Sequence, residues 1–431
     1  MRYHDLVIEA DDVRGANLSD GGRLVRFTVR VIDSPAGQMR PEEAVEVEFL
    51  EAEIQGAARA LAARTLSPEQ ILAYGRTLGD LLLPPPSAAD APAPRALFAT
   101  ALSQIPATDG LRLRLRLPPE LAPIPWEYAA LEQSNGEATR SFLALDPRLA
   151  LVRQEPLAAA DPPPHPGGPI RLVAALASPA GLAKLDLALE ADAIRQACAN
   201  QAGIDLALLD DARSEAVQQA LAGAEVFHFA GHGLPQGGGA IALADGRYEA
   251  ATLAQALQRN GVRLALLGGC QTGQRDGSTL WGGTAATLLQ HAIPAVVAYQ
   301  FTIRDGAAIA FTRQFYAALV GGLPIERAVV AGRIAAYEFD PSGREWGCAV
   351  LYLRSDDGRL FAGSDDPQVR EQAAKVVTAN LDLRGSSFSG ADVVVMKVTR
   401  IKAEHVILNL GVTAEQIGDN QSITGVEIDE I

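Results

Sequence analysis

The middle of the sequence alternates between short apolar runs and longer segments whose apolar residues recur at helical spacing. The runs IRLVAALAS, VFHFAGHG, VRLALLGGC and AVVAYQFT are typical of buried strands, and LALEADAIRQACANQA, EAATLAQALQRN and GGTAATLLQHA lie between them. A further helical pattern runs from Gly306 to about Leu319. This alternation predicts βαβ units, which form a mostly parallel sheet with flanking helices. The predicted fold class is therefore α/β, in which chemistry is placed at the carboxyl ends of the strands.

Two segments that are unsuited to helix or strand interrupt the chain. LAAADPPPHPGGP at residues 157–169 is rich in proline and glycine, and GSDDPQ is a shorter second break. We therefore predict a first domain at residues 1–156, a linker at 157–169, a central domain at 170–363 and a small module at 364–431. Domains commonly have about 150 residues, so the length of this chain agrees with two or three domains.

The first domain is predicted to be α+β. HDLVIEA, LVRFTVRVI and AVEVEFL alternate apolar and polar residues as half-buried antiparallel strands do. Helices are expected around Glu51 to Ala63 and from Ser67 to about Leu83. The strand LRLRLRLP places three arginines on one face, which we interpret as a solvated stripe rather than a binding patch: Arg112, Arg114 and Arg116.

Two of the apolar runs end in glycines that surround one reactive side chain. His232 follows the first run and Cys270 follows the second, and the residues between them amount to one crossover with its helix. Parallel strands that are joined by one crossover are usually neighbours, about 4.8 Å apart. We therefore expect the two side chains to face each other across one crevice.

The pairing of a thiol with an imidazole has a chemical reason. A free thiol titrates near pH 8.5, so only a few per cent is thiolate at pH 7. A nearby imidazole withdraws the thiol proton or, once charged, stabilises the thiolate. The backbone N–H groups of Gly233 and Cys270 are the expected donors to an oxyanion, so the parts needed for thiol attack on a carbonyl are present.

The other cysteines and a second histidine have simpler interpretations. Cys198, in a helical pattern, and Cys348, in WGCAVLYL, are interpreted as small buried hydrophobes. His228 lies four residues before His232, a spacing that brings two metal ligands together on a helix. Here the two histidines lie on a strand that turns, so we interpret His228 as a packing or capping residue.

Composition narrows the class of protein. With 48% hydrophobic and 21% charged residues the chain is expected to be globular. No apolar run approaches the roughly 18 to 20 residues of a membrane span, and the first residues lack a signal-peptide core, so we expect a cytoplasmic protein without a membrane partner. Three cysteines far apart suit a reducing compartment. The net charge of −15 argues against a phosphate-binding surface and hence against nucleic acid.

Several stretches together resemble the CHAT family of caspase-related cysteine peptidases, which is also similar to separase. They are VFHFAGHG, ALADGRYEAATLAQAL, LALLGGCQTG, the segment from HAIPAVVAYQ to PIERAV, and WGCAVLYLR, within residues 170–362. LPPELAPIPWEYAAL and FLALDPRLALVRQEP resemble the leader half of these proteins. The resemblance implies a caspase-like sheet and an endopeptidase with a dyad of His232 and Cys270, without metal or cofactor. It also implies a place in bacterial signalling, conflict or antiphage defence systems.

The sequence departs from the family motif immediately before the nucleophile. The family commonly has Ser-Ala-Cys ahead of Gln-Thr-Gly, whereas this chain has Gly268 and Gly269 before Cys270. The glycines have no side chains to pack beneath the nucleophile. The departure therefore concerns the shape of the substrate pocket rather than the dyad.

Acidic residues are candidates for the substrate pocket. In caspase-like sheets, the loop after the first strand and the loops near the nucleophile line the pocket for the side chain before the scissile bond. These loops contain Asp186, Glu190 and Asp276, and Asp305 follows in QFTIRD. An acidic pocket would prefer Arg or Lys, whereas the simpler interpretation of each of the four is a solvated loop carboxylate.

The last part of the chain contains two β-rich stretches, in ADVVVMKVTRIKAEHVILNLGVT. VVVMKVTRI combines high β-propensity with few charges, so we expect it to be paired with another strand. We favour a recruitment or regulatory module that binds an activating or recruiting protein by β-augmentation, over a simple extension of the sheet.

Three functions from different classes fit the sequence. The first is a regulated cysteine endopeptidase that cleaves a partner protein, the second a catalytically idle interaction scaffold, and the third a Cys-dependent acyltransferase or other thiol enzyme on a similar sheet. A scaffold has no need of both a thiol and an imidazole at facing strand ends, which favours the first function over the second. An acyltransferase would need a pocket for a small acyl donor, and no motif indicates one.

Overall fold

The computed structural model describes residues 2–19, 21–87, 92–131, 142–154, 168–182, 184–185, 187–199, 203–234, 238–268, 282–354 and 358–361. The chain forms two compact units, Met1–Val376 and Val377–Ile431. The second unit and the predicted β-rich module at 364–431 lie outside the described residues. The structure below is that of the first unit.

The described strands of this unit form two sheets. They are β1 (Tyr3–Asn17), β2 (Arg23–Asp33), β3 (Val45–Leu50), β4 (Gly110–Arg116), β5 (Leu149–Arg153), β6 (Ile170–Leu176), β7 (Ile204–Leu209), β8 (Val226–Ala230), β9 (His232–Leu234), β10 (Ala240–Leu243), β11 (Gly246–Glu249), β12 (Leu264–Gly268), β13 (Ala295–Tyr299) and β14 (Ala349–Leu353). An 11-stranded sheet has the order β3-β2-β1-β4-β5-β14-β13-β12-β8-β6-β7, and β11-β10-β9 form a separate sheet.

Helices flank the large sheet. They are α1 (Glu51–Ala62), α2 (Pro68–Leu82), α3 (Pro94–Gln104), α4 (Leu187–Ala199), α5 (Ser214–Ala220), α6 (Ala250–Arg259), α7 (Gly282–Gln290), α8 (Asp305–Val320) and α9 (Ile325–Phe339). The start of α2 has a local cause, because the Ser67 hydroxyl accepts from the backbone N–H of Gln70 and Pro68 occupies the first turn. No helix of the described part is long and apolar enough to cross a membrane.

The predicted α/β class is confirmed in the half of the sheet from β13 to β7. All four neighbouring pairs there, β13 with β12, β12 with β8, β8 with β6 and β6 with β7, are parallel. Residues of β8 and β12 are buried along their whole length, as expected of strands that are covered on both faces. This half of the sheet carries the predicted site.

The first predicted domain contributes its strands to the same sheet. The antiparallel pairs β1–β2 and β2–β3 are confirmed, and β4 and β5 follow in parallel. Strand β14 then joins the two halves, because it pairs with β5 through Arg153 and Tyr352 and with β13 along its length. The domain boundaries at 156 and 170 stay a prediction.

The predicted solvated stripe on β4 is wrong for two of its three arginines. Arg112 and Arg114 are each only 2% exposed, because β4 lies inside the sheet and α9 covers this face. The carboxylate of Asp5 on β1 accepts from both guanidinium groups, and Glu326 on α9 accepts from Arg112. Arg116, at the strand end, is partly exposed. Arg112 and Arg114 therefore form ion pairs on a covered face of the sheet, and the pair of Arg112 with Glu326 attaches α9 to it.

Candidate active site

The two strands that carry the predicted dyad are neighbours. Strand β12 pairs in parallel with β8, from Leu264 opposite Val226 to Gly268 opposite Ala230. The backbone N–H of Gly231 then donates to the carbonyl of Gly268 at 3.1 Å, immediately past the last pair. His232 and Cys270 each follow by two positions the residues of this last pair. The prediction that the two motifs end at adjacent parallel strands is confirmed.

The turn into His232 requires a glycine. A Cβ atom on Gly231 would lie 2.4 Å from the Phe229 ring and 2.8 Å from the carbonyl oxygen of Ala177, closer than any side chain allows. His232, which is buried, is the first residue of β9 and lies opposite Ala242 on β10. The sheet of β9–β11, which the sequence patterns did not predict, therefore fixes the backbone of His232 beyond β8. Gly233, the predicted oxyanion donor, follows in β9.

Several predicted site residues lie outside the described residues. These are Cys270, Asp186 and Asp276, so the dyad, the oxyanion donor at Cys270 and two of the pocket carboxylates stay predictions. Asp305 is the first residue of α8. The structure therefore places His232, Gly233 and Asp305 on elements that follow β8 and β13.

Glu190 is placed differently from its prediction. It lies in the first turn of α4 rather than in a loop, and it is buried rather than solvated. One of its carboxylate oxygens, Oε1, is 3.8 Å from Nε2 of His228. Helix α4 begins at Leu187. Glu190 therefore lies on the helix, and its side chain is near β8. A role for Glu190 in substrate binding stays a prediction.

His228 lies on β8 beneath the predicted site. Its side chain is fully buried, and Nδ1 is 3.0 Å from the hydroxyl oxygen of Tyr316 on α8. Burial lowers the pKa of His228 to about 3, so the imidazole is neutral at pH 7. Among the described residues, no group of His, Cys, Asp and Glu is arranged to hold a metal ion. The structure agrees with a packing role, and it adds the Tyr316 contact, which no pattern in the sequence indicates.

A buried polar network lies at the carboxyl end of β13, and sequence reasoning missed it. The Nε2 atom of Gln300, the residue after β13, donates to Glu127 at 2.9 Å and to the carbonyl of Gly347 at 2.8 Å. Glu127 also accepts from Nη2 of Arg153 at 2.7 Å. A glutamine directly after the apolar run AVVAY is the signal that could have indicated this network. It ties the end of β13 to the turn before β14.

Residues 302–304 connect this network to Asp305, and they are held from two sides. The carbonyl of Thr302 accepts from Nη2 of Arg64 and from Nη2 of Arg344, each at 3.0 Å. Glu345 accepts from Nε of Arg304 at 2.9 Å and from Nε of Arg64 at 2.8 Å. Arg64 follows α1 in the first predicted domain. That domain therefore supports the segment that leads to a candidate pocket residue.

The two described cysteines are unsuited to nucleophilic attack. Cys198 on α4 and Cys348 before β14 are both buried and form no disulfide, as predicted for small hydrophobic residues. Burial raises the pKa of the Cys198 thiol to about 12 and also raises that of Cys348. Thiols of this kind are almost entirely protonated at pH 7.

The family model of the CHAT domain matches residues 72–353. Because this match spans more than half of the 431 residues, the chain belongs to the CHAT domain family. The match begins before residue 170, where the resemblance of the sequence motifs was first placed, so the family segment includes part of the first predicted domain. No curated protein matches the chain.

Solved structures with similar folds include two of the separase-securin complex from Saccharomyces cerevisiae. The first has a TM-score of 0.40 and 11% identity, and the second a TM-score of 0.35 and 10% identity. In both, the match covers 81% of this chain and 30% of the separase-securin chain, so this chain spans less than a third of that length. The Arg specific cysteine proteinase gingipain R is also similar, with a TM-score of 0.38 and 10% identity over 72% of this chain and 76% of that chain.

Proposed function

We propose that the protein is a regulated cysteine endopeptidase in which Cys270 is the nucleophile and His232 the base. Membership of the CHAT family supports a peptidase-type function. The observation that carries the proposal is the register of β8 and β12, because their last pair, Ala230 and Gly268, lies two residues before each member of the dyad. Neighbouring parallel strands are about 4.8 Å apart, so side chains that leave from matched positions are within reach of each other.

The proposed reaction uses the chain's own groups. The imidazole of His232 takes the thiol proton of Cys270, and the thiolate attacks the carbonyl carbon of the scissile peptide bond. The N–H groups of Gly233 and Cys270 stabilise the oxyanion, and the imidazolium returns the proton to the leaving amine. Water then hydrolyses the thioester. No metal or cofactor takes part in this sequence.

We further propose a setting for this activity. The substrate is a protein, and an activating or recruiting protein binds the module at residues 364–431. The protein acts in the cytoplasm of a bacterium, in a signalling, conflict or antiphage defence system. The acidic composition, with a net charge of −15, is the reason that nucleic acid is not among the proposed partners.

The experiment is mass spectrometry of the products after the purified chain is incubated with the proteins encoded by neighbouring genes. A new pair of termini that requires Cys270 supports the endopeptidase. If intact partners are bound and none is cleaved under any condition, the protein is an interaction scaffold. A covalent acyl adduct on a partner, without a cut, indicates an acyltransferase.

A further inference from the structure

His228 is a fully buried group of the site that the proposed reaction does not use. Its ring lies on β8, the strand between β6 and β12, and the side chain is 0% exposed. Tyr316 on α8 holds one edge of the ring through the 3.0 Å contact with Nδ1. A neutral imidazole has one N–H and one lone pair, and the tyrosine hydroxyl can pair with either of them, so the contact holds the ring in both tautomers.

The opposite nitrogen, Nε2, has no hydrogen-bond partner among the described residues. Glu190 Oε1 at 3.8 Å is too distant for a hydrogen bond. A buried polar atom without a partner is costly, so its retention calls for an explanation. The position of this atom relative to the strand ends supplies one.

Nε2 points toward the end of β12. A Cβ atom placed on Gly268 would lie 3.7 Å from Nε2, 3.7 Å from Cε2 of Tyr299 and 3.4 Å from the carbonyl oxygen of Phe229. These are ordinary van der Waals distances for a Cβ atom, which glycine lacks, so Nε2 borders the space beside Cα of residue 268 that a side chain would occupy. The carbonyl of Gly268 in turn accepts from the N–H of Gly231, the residue before His232.

We propose that His228 is a positioning residue for His232. Tyr316 contacts Nδ1, Nε2 borders the end of β12 at residue 268, and the carbonyl of Gly268 holds the N–H of Gly231, the residue before His232. The catalytic part of this proposal rests on the proposed peptidase function. The geometric part, that Nε2 faces residue 268, does not.

The catalytic part is tested with two amide substitutions, each of which places a polar group near one of the two ring nitrogens. His228→Asn keeps a polar group near Tyr316 and removes the edge that faces Gly268. His228→Gln extends a polar group to the place of Nε2. Misplacement of a catalytic group by about 1 Å can cost up to 100-fold in rate, so we expect His228→Asn to lower kcat by at least about tenfold with KM little changed, and His228→Gln to recover most of that loss.

Two outcomes would overturn the catalytic part. One is a folded His228→Asn variant with wild-type kcat. The other is that the Asn and Gln variants lose the same amount of kcat and that this loss follows their loss of stability. A residue that only packs would behave in this way.

The geometric part is tested by thermal unfolding, without any substrate. Gly268→Ser adds a hydroxyl within reach of Nε2. Gly268→Ala is the matched control, because it restricts the backbone in the same way and adds no hydroxyl. In the wild-type background we expect the Ser variant to melt about 1 °C above the Ala variant. The shift in melting temperature is the free energy of the added hydrogen bond divided by the unfolding entropy, and that entropy is large for a chain of this length. The difference should persist with His228→Gln and vanish with His228→Asn.

An equal difference between the Ser and Ala variants in all three backgrounds would overturn the geometric part, since the serine would then bind the carbonyl of Phe229 instead. If the thermal cycle succeeds while the wild-type protein cleaves no protein, the proposed function fails and the placement of Nε2 beside residue 268 stands. If the thermal cycle fails while the wild-type protein is an active peptidase, the geometric part and the positioning role are both wrong and the proposed function stands.

Discussion

The Nε atom of Arg64 lies 2.8 Å from Oε1 of Glu345. This ion pair joins the segment after α1 to the turn before β14, and its two residues are 281 positions apart in the sequence. The Glu345 side chain is only 1% exposed, and it also pairs with Arg304. Arg64 and Arg304 are 33% and 46% exposed, so the carboxylate is buried while its partners reach solvent. This geometry makes Glu345 a test of how the first domain is attached.

We expect Glu345→Gln to lower the free energy of unfolding by about 2 kcal/mol, less than the ~3–5 kcal/mol of a fully buried pair because both arginines are partly solvated. Burial on its own would raise the pKa of Glu345, but the hydrogen bonds from Arg304 and Arg64 outweigh it and lower the pKa to about 2. The depressed pKa means that the stabilisation is complete above the ordinary value of 4.5 and is lost as the pH falls toward 2. Urea denaturation at pH 7 and pH 3 measures both effects.

Glu43→Gln is the matched control for Glu345→Gln. Glu43 pairs with Arg40, which is 70% exposed, so its loss should change the free energy of unfolding much less than the loss of Glu345 does. Equal effects of the two substitutions at pH 7 would contradict the importance of the Arg64 pair.

His228 is expected to destabilise the protein in acid. Its pKa in the folded state is about 3 against an ordinary value of 6.5, so protons bind first to the unfolded chain. Stability from this residue is therefore complete above pH 6.5 and is lost as the pH falls from 6.5 toward 3, with a slope of up to about 1.4 kcal/mol per pH unit. Unfolding free energies at pH 7, 5.5 and 4.5 should fall less steeply in His228→Gln. His4→Gln, at a side chain that is 26% exposed, is the control, and the same slope in both variants would contradict the prediction.

Cys270→Ala and His232→Ala are each expected to abolish proteolysis and to leave the fold intact. The two losses should not add in the double variant, because the dyad acts as one unit. Cleavage of a validated substrate is the measurement, and circular dichroism checks the fold. Cys198→Ala is the control, since burial raises the pKa of that thiol to about 12. Cleavage at the wild-type rate by either dyad variant would show that the assignment is wrong.

A peptide library is expected to show a preference for Arg or Lys before the cut. The reason is the acidic character of the candidate pocket, so kcat/KM for such peptides should fall when Asp186, Glu190, Asp276 or Asp305 is neutralised singly to the amide. Asp192→Asn is the control on the same helix as Glu190, because the Asp192 side chain is 59% exposed and paired with Arg195. A strong preference for Asp before the cut would eliminate the prediction.

A truncation that ends at Ala362 is expected to raise a low basal activity. A cytosolic endopeptidase that is always active would damage its host, and the module at 364–431 is the candidate for restraint. Such restraint requires that the module binds the inactive state better than the active one. The truncated and full chains are compared on the same substrate. A folded truncated protein that is no more active than the full chain, together with no effect of any partner, would make the module a recruitment device.

The sequence predicted the elements of the site well where burial leaves a simple pattern. Strands β8 and β12 are covered on both faces, so they appear as continuous apolar runs, and the crowded backbone at Gly231 forces a glycine where the first run ends. The neighbouring placement of these strands then follows from the rule for a single crossover.

Other features depend on contacts that the local pattern does not contain. The alternation in LRLRLRLP shows that β4 has two different faces, but only the position of α9 decides that Arg112 and Arg114 are buried against Asp5 and Glu326. Glu190 belongs both to the helical pattern LALEADAIRQACANQA and to the candidate pocket loop, and only the folded structure shows that it is buried, 3.8 Å from His228. The contact between His228 and Tyr316 joins residues 88 positions apart and could not be inferred from either segment.

Strand β14 is the last strand of the described sheet to leave the ribosome, although it lies between β13 and β5. Until it is synthesised, both of those strands have an open edge in the middle of the sheet, and open edges of apolar strands pair readily with other chains. The nascent protein therefore holds two incomplete sheets that cannot join, even though residues 232 and 270 have already been made. The order of synthesis thus delays the completed sheet until the final described strand closes the gap, and ribosomes that stall before Ala349 are expected to yield aggregated chains.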